Sequence, residues 1–384
     1  MNTLVTAKQR LSQPCEPLPV KDCRVRHEGD ENGKKRHYRR SVRMHYCSDP
    51  DFNNLLSVLR HEAPSRPTLF EFFLNAALYQ KIAEYPEIPP ADSVEWDKMV
   101  MKAYCRAGYD HAPARASAMA FQASAVEHQA SRSMNDTAII TDRASYEAYK
   151  WPDPDSFDYS KLDLLAPELP GKMKLIVHGP GGVLENVMEL VGYENLCLML
   201  IDDPELVEKI FADVGSRLVR YYELSAPHPA VGALISNDDW GFNTQTMLSP
   251  SDMRRYVFPW HERIVAAIHA AGKPAILHSC GNLETVMDDI IDGMRYDGKH
   301  SYEDKICPVE EAYERWGGRI AILGGIDVDF VCRSPLEDIT ARAKAMLERT
   351  ATRGAYALGS GNSIPYFVPD DNYFAMISPA IENR

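Results

Sequence analysis

His278 and Cys280 stand on either side of Ser279 at the end of an apolar run, Ala275-Ile276-Leu277, and Gly281-Asn282 follow them. A short run of this kind reads as a buried strand, and side chains two apart on a strand share a side. The imidazole and the thiol would project together from the strand's carboxyl end, and both are suitable zinc donors. A buried thiol beside a histidine that satisfies a backbone group explains the tripeptide alone equally well. The balance shifts because other apolar runs end in the same manner. Thr68-Leu69-Phe70-Glu71-Phe72-Phe73 reads as a strand that ends near an acid, and His178 ends Lys174-Leu175-Ile176-Val177 before Gly179-Pro180-Gly181-Gly182. Asn237-Asp238-Asp239 follow Gly232 to Ser236, and His300-Ser301-Tyr302-Glu303-Asp304 follow Tyr296 to Lys299. Gly324-Gly325-Ile326-Asp327 follow Ile320 to Leu323, and Gly359-Ser360-Gly361-Asn362-Ser363 follow Ala355 to Leu358.

Each of these residues has a chemical and a structural reading. Successive strand residues face opposite ways, so one of Asp238 and Asp239 enters a shared opening, and Asp239 is the candidate for catalysis; capping of the Gly241 loop is the alternative. Glu303 is a candidate acid, base or ligand, or else a surface acid at the start of a helix. Asp327 either meets substrate or caps the helix that follows it. The His178 turn resembles an anion cradle, a common form at strand ends. Tyr302 and Asn362 are candidates for orienting a substrate, and Glu71, His178, Asp327 and Ser360 complete the set of candidate substrate contacts. The methionines and most aromatics fall at helical spacing and read as core.

The elements that must hold these residues alternate. Leu206, Ile210, Val214 and Leu218 recur every four residues behind Asp203-Pro204, predicting a helix. Met253, Tyr256, Val257, Trp260, Ile264 and Ile268 form a second stripe behind Ser249-Pro250, closed by Ala271-Gly272, and Ser334-Pro335 opens a third helix through Leu347. Strand–helix repetition without alternating polarity predicts a parallel sheet covered by helices. Polar residues follow nearly every strand, not one switch point, which favours an α/β TIM-type (β/α)8 barrel over an open doubly wound sheet. The stretch 85–170 has few clear strands and is expected as a helical insertion or cap.

Composition bounds the function. The chain has 384 residues, 45% hydrophobic and 25% charged, with a net charge of -13. That balance is globular and argues against general nucleic-acid binding, which needs a basic face. No apolar run approaches the roughly 20 residues that span a bilayer, and the N-terminus lacks a signal-type apolar core, so the cytoplasm is the expected compartment. Cysteines 15, 23, 47, 105, 197, 280, 307 and 332 show no CxxC spacing and read as free thiols. Residues 1–48 are dense in charge and expected as a flexible extension before a folded unit at 49–384; the basic cluster His37 to Arg43 reads as a solvated tail or a contact for an acidic partner.

Over residues 50–380 the chain resembles the uroporphyrinogen decarboxylase superfamily, and within it the corrinoid-dependent methyltransferases of the methylcobamide:coenzyme M type. The carrying segments are Val177 to Gly182, Leu248-Ser249-Pro250 with Phe258-Pro259, His278 to Asn282, Leu323 to Asp327 and Gly359 to Asn362. The resemblance implies a TIM-type barrel and zinc held by a His-x-Cys pair, matched by His278 and Cys280, plus a distant cysteine. Ser360 stands where that cysteine is expected, and a neutral hydroxyl is a poor partner for zinc beside a thiolate. Either Glu303, Asp239 or Glu71 then supplies an oxygen, ahead of Cys307 and Cys332, which lie beyond their strands, or the metal is weakly held or absent. Decarboxylases of the superfamily would need an arginine-rich loop after the first strand, where this chain has Phe70-Glu71-Phe72-Phe73-Leu74, and an aspartate segment for which only Asp110 is on offer. The resemblance therefore implies methyl exchange between a small methylated compound or a thiol acceptor and a corrinoid. Lacking an Asp-x-His-x-x-Gly segment, this chain would receive the corrinoid on a separate carrier protein. A porphyrinogen carboxy-lyase and a non-catalytic barrel that binds corrinoid or its carrier are the alternatives.

Overall fold

The computed structural model describes residues 49–122 and 138–382; the charged extension expected at 1–48 lies outside the described residues. Seven strands form one all-parallel sheet in sequence order: β1 (His111–Arg115), β2 (Lys174–His178), β3 (Val231–Asn237), β4 (Ala275–His278), β5 (Gly298–His300), β6 (Ala321–Leu323) and β7 (Tyr356–Ala357). The strands are almost wholly buried because each has two apolar faces. Ile176, Ala233, Ile235, Ile276, Ala321, Leu323 and Ala357 pack together on the inside of the curled sheet. Leu175, Val177, Leu234, Ala275, Leu277, Ile322 and Tyr356, one step out of phase with them, pack outward among the helices. This is the TIM-type α/β arrangement the strand pattern predicts.

The inside parity fixes what reaches the carboxyl ends of the strands. Counting by twos from Ile176 leads to His178, from Ile235 to Asn237 and Asp239, and from Ile276 to His278 and Cys280. Gly298 also lies inside, since a Cβ there would come within 2.8 Å of Leu59 and 3.1 Å of Leu323, so His300 follows on the same face. The opposite, amino-terminal end is closed by the helix Asn53–Leu59, whose Leu55, Val58 and Leu59, with Phe52 before it, join the interior cluster. Gly232 makes room for this plug, because a Cβ would meet the Phe52 ring at 2.6 Å.

Two expectations need correction. Thr68 to Phe73 is not a full strand. Its backbone meets β7's extension through one bridge, Leu69 to Leu358, with Leu358 N–H donating to Thr68 O (2.8 Å) and Phe70 N–H to Leu358 O (2.8 Å). On the other side the carbonyls of Glu71 and Phe72 face the Tyr104 hydroxyl at 3.2 and 3.1 Å, so a side chain replaces a ladder. The stretch 85–170 is not purely a helical insertion, for β1 runs through it. His111-Ala112-Pro113-Ala114-Arg115 lacks the β-branched run that signals a strand, and β1 pairs only with β2, leaving Pro113 on a sheet edge where a missing N–H is tolerated. The helix predicted behind Ser249-Pro250 forms with a wider π turn at Met253–Val257 before Phe258–Ala270. Those behind Asp203 and Pro335 run Pro204–Ser225 and Leu336–Thr350.

Candidate metal centre at the strand carboxyl ends

One cluster of potential metal donors occurs among the described residues: ligand atoms of Asp239, His278 and Cys280 all lie within 4.8 Å of one another. His278 Nε2 is 3.7 Å from Cys280 Sγ and 3.9 Å from Asp239 Oδ1. The loops after β3 and β4 interlock to bring them together. Gly241 N–H donates to Cys280 O (3.1 Å), Asn282 N–H to Phe242 O (2.7 Å), and Cys280 N–H to Asp239 Oδ1 (2.8 Å). Gly281, at φ 88°, permits that approach, since a Cβ there would sit 2.1 Å from the Gly241 carbonyl.

The sulfur is further addressed by two donors, the Ser301 hydroxyl and the Asn362 amide, each at 3.3 Å. Ser301 holds φ 86°, an uncommon conformation for a residue with a Cβ, and its hydroxyl is thereby turned onto the thiol. Burial and the Asp239 carboxylate push the Cys280 thiol up to about 12, against the Ser301 hydroxyl. Such a thiol stays protonated at neutral pH unless a cation offsets Asp239. Thiol, imidazole and carboxylate are a chemically sound set for zinc, and three protein donors leave the fourth position open, as catalytic sites require.

Behind the ligands, Lys299 is buried and its ammonium donates to the carbonyls of Ser301 (2.7 Å), Ser279 (3.4 Å) and His300 (3.5 Å), tying the β4 and β5 ends together. Burial lowers this lysine to about 8. Burial likewise brings His278 down to about 4, and drives His300 well below the ordinary histidine range with the help of His278. Glu185 is raised to about 8 by burial and by Asp238 and Asp239.

The other sequence candidates divide. Asn362 reaches Cys280. His178 sits across Phe72 from His278, with ring centroids 5.8 and 4.9 Å from that phenyl, and its own Nδ1 faces the Gly179 carbonyl at 3.2 Å. Glu303 and Tyr302 line an adjoining cleft with Lys299, Ser301 and Trp316. Glu303 is raised by burial and by Asp327 and Asp239. The Tyr302 ring lies under Lys299 Nζ at 4.4 Å, and its buried hydroxyl has no partner among the described residues.

Three of the expected substrate contacts have protein partners in the fold. Asp327 caps the helix Val328–Arg333 through Phe330 N–H (3.0 Å) and takes Asp304 N–H on its other oxygen (2.9 Å), so both oxygens serve backbone. Glu71 and Ser360 are buried against each other: Glu71 Oε1 accepts Ser360 N–H (2.5 Å) and Oε2 lies 2.7 Å from the Ser360 hydroxyl. Glu71 is not among the converging donors, and the Ser360 hydroxyl also lies 2.9 Å from the Asn362 carbonyl. Asp238, out of phase with Asp239, turns outward to accept Leu184 and Glu185 N–H (both 2.9 Å) and to meet His261 Nε2 at 2.9 Å. Ser301, Lys299 and the role of His300 had no signal in the sequence, since nothing local reports which carbonyls or sulfurs a loop will meet.

The sequence pattern of the family described as Uroporphyrinogen decarboxylase (URO-D) matches residues 116–382, more than two-thirds of the chain. The chain belongs to this family. Its relatives include proteins named uroporphyrinogen decarboxylase from Myxococcus xanthus, 26% identical over 42% of this chain and 44% of that protein, and from Geobacter sulfurreducens, 23% identical over 61% and 68%. The chain thus spans about half to two-thirds of the length of these relatives. In structure it is similar to a methyltransferase from Methanosarcina mazei, with a TM-score of 0.64 at 16% identity over 86% of this chain and 97% of that one, a likeness of fold. No helix among the described residues is long and apolar enough to cross a membrane.

Proposed function

We propose that this member of the uroporphyrinogen decarboxylase family is a zinc-assisted methyltransferase, exchanging a methyl group between a small methylated compound or thiol and a corrinoid carried on a separate protein. The observation that carries the reading is the convergence of Asp239, His278 and Cys280 within 4.8 Å at the mouth of the sheet. His278 and Cys280 would hold zinc with Asp239 as the third ligand, in the place the resemblance gives to a cysteine. Zinc bound there supplies Lewis-acid chemistry, holding a substrate thiol as thiolate or polarising the heteroatom that leaves the methyl group. An oxygen donor in place of a third sulfur makes the site less electron-rich, which favours the second use. Ser301 and Asn362 donate to Cys280 Sγ and orient it. Phe72 and Phe73 stand as apolar walls beside His278 and His178. Glu303, in the adjoining cleft, is placed to give or take a proton on a bound substrate.

The names of the relatives favour a second reading, a carboxy-lyase acting on a porphyrinogen. Against it, Phe72 and Phe73 stand where substrate carboxylates would call for arginines. Asp110, the aspartate on offer, precedes β1 at the amino-terminal end of the sheet, paired with Arg66 and accepting Asp51 N–H at 2.8 Å.

Three measurements test the readings. Protein purified without chelator is expected to contain one zinc per chain, lost in Cys280→Ser and His278→Ala and weakened in Asp239→Asn; unchanged metal in all three returns these residues to a structural role. Methyl transfer is followed by corrinoid absorbance with a carrier protein and a panel of methylated compounds and thiols. Release of carbon dioxide from uroporphyrinogen without cobalt would establish the carboxy-lyase instead.

A further inference from the structure

His300 is wholly buried on β5 beside His278, and its two ring nitrogens meet different partners. Its Nδ1 lies 2.8 Å from His278 Nδ1, and its Nε2 lies 3.3 Å from the Ser360 carbonyl oxygen. A carbonyl only accepts, so His300 Nε2 carries the hydrogen. No carboxylate contacts this imidazole among the described hydrogen bonds, and a second buried imidazole is its neighbour, surroundings that favour the neutral ring. A neutral ring with its hydrogen on Nε2 presents a lone pair at Nδ1, and His278 Nδ1 must then donate to it. The remaining nitrogen of His278, Nε2, is left bare, and it is the one facing Cys280 Sγ and Asp239 Oδ1.

From this geometry we infer that His300 is a positioning residue that fixes the metal-ready tautomer of His278, and that the backbone carbonyl of Ser360 sets the order of the whole relay. The inference rests on the metal centre proposed above and adds its outer layer, of the kind that orients ligating histidines generally. The surrounding chain is built around that carbonyl. Gly325 N–H donates to it at 2.8 Å, and Gly324, at φ 66°, leaves the space it occupies, since a Cβ there would be 2.2 Å from Ser360 O and 3.1 Å from the His300 ring. The Ser360 peptide is pinned in turn by Glu71, through its N–H at 2.5 Å and its hydroxyl at 2.7 Å. Ser360 thus acts on the centre with its main chain two imidazoles away, while its side chain faces the other direction.

The test compares wild type, His300→Phe and His300→Asn. Phe fills the volume without an acceptor, and the Asn amide oxygen can replace Nδ1 as one. Nitrogen-15 imidazole spectra of the metal-free protein should show His278 with its hydrogen on Nδ1 in wild type and His300→Asn, and a mixture of tautomers in His300→Phe. Zinc affinity, measured by chelator competition, should fall about 10- to 100-fold in His300→Phe and recover most of that in His300→Asn, with circular dichroism confirming that both variants fold. A wild-type His278 carrying its hydrogen on Nε2 overturns the relay, as does zinc bound with equal, measurable affinity by all three proteins. If the tautomer is as stated and wild type binds no zinc, the relay stands and the metal reading falls.

Discussion

Glu71 shows how much a single buried carboxyl can organise. The Ser360 hydroxyl lies 2.7 Å from Glu71 Oε2 and 2.9 Å from the Asn362 carbonyl, and it has one proton for two acceptors. A protonated Glu71 completes the set: the acid donates to Ser360, which donates to Asn362. Burial, acting against the Ser360 amide and hydroxyl, raises this carboxyl from an ordinary 4.5 to about 8. Below pH 4.5 the group is protonated whether the chain is folded or not, and stability does not depend on it. Between 4.5 and 8 the unfolded chain ionises while the folded one keeps its proton, so stability falls as pH rises through that window and is flat beyond it. Glu71→Gln, whose amide can donate to Ser360 and accept its N–H, should remove this dependence. Wild type is expected to lose about 1.4 kcal/mol per pH unit more than the variant across the middle of the window, read from urea midpoints. Parallel pH profiles for the two proteins would show that Glu71 is ionised in the fold.

At the scale of elements, the centre depends on two loops fitting together more than on any strand. The β3 and β4 loops approach at Gly241 and Gly281 so closely that neither tolerates a Cβ: at Gly241 it would come within 2.7 Å of Asn282 N. Gly281→Ala adds a left-handed strain at φ 88° to a clash with the Gly241 backbone. It is expected to cost about 1–3 kcal/mol in a denaturant titration and, because the loops separate, to abolish stoichiometric zinc. Gly272 also has a positive φ, 70°, but a Cβ there meets nothing within 4 Å. Gly272→Ala should therefore leave zinc binding intact while paying only the backbone strain. Equal zinc content in both variants would mean that the loop contact does not position the donors.

On the scale of the whole molecule, the interior of the sheet has a plugged end and a chemical end. Helix Asn53–Leu59 fills the former with Leu55, Val58 and Leu59, all fully or nearly fully buried, while the candidate metal donors gather at the latter. Leu55→Ala opens a cavity far from the donors and is expected to lower global stability by about 2–5 kcal/mol. Zinc per chain in the surviving folded protein should be unchanged, since the mouth is held by its own loops. Loss of zinc along with stability would show that the two ends are coupled through the interior.

The amino-acid sequence by itself determined the strand–helix alternation, the parallel sheet, and that successive strand residues face opposite ways; which set faces inward came from the packing. A period of two says only that one of Asp238 and Asp239 belongs with His278 and Cys280; Ile235 packing inside the sheet makes it Asp239. β1 escaped because Pro113 and its alanine neighbours carry no strand signature, and the helix that plugs the interior escaped because its role depends on where distant glycines leave room. Asp327, Glu71 and Ser360 looked like open polar ends of strands, and only the tertiary structure decided that their oxygens are already occupied by backbone or by one another. The tautomer of His278 is of the same kind. It depends on a carbonyl 82 residues along the chain, and hydrogen-bond partners at that separation are set by how loops pack, not by any local pattern.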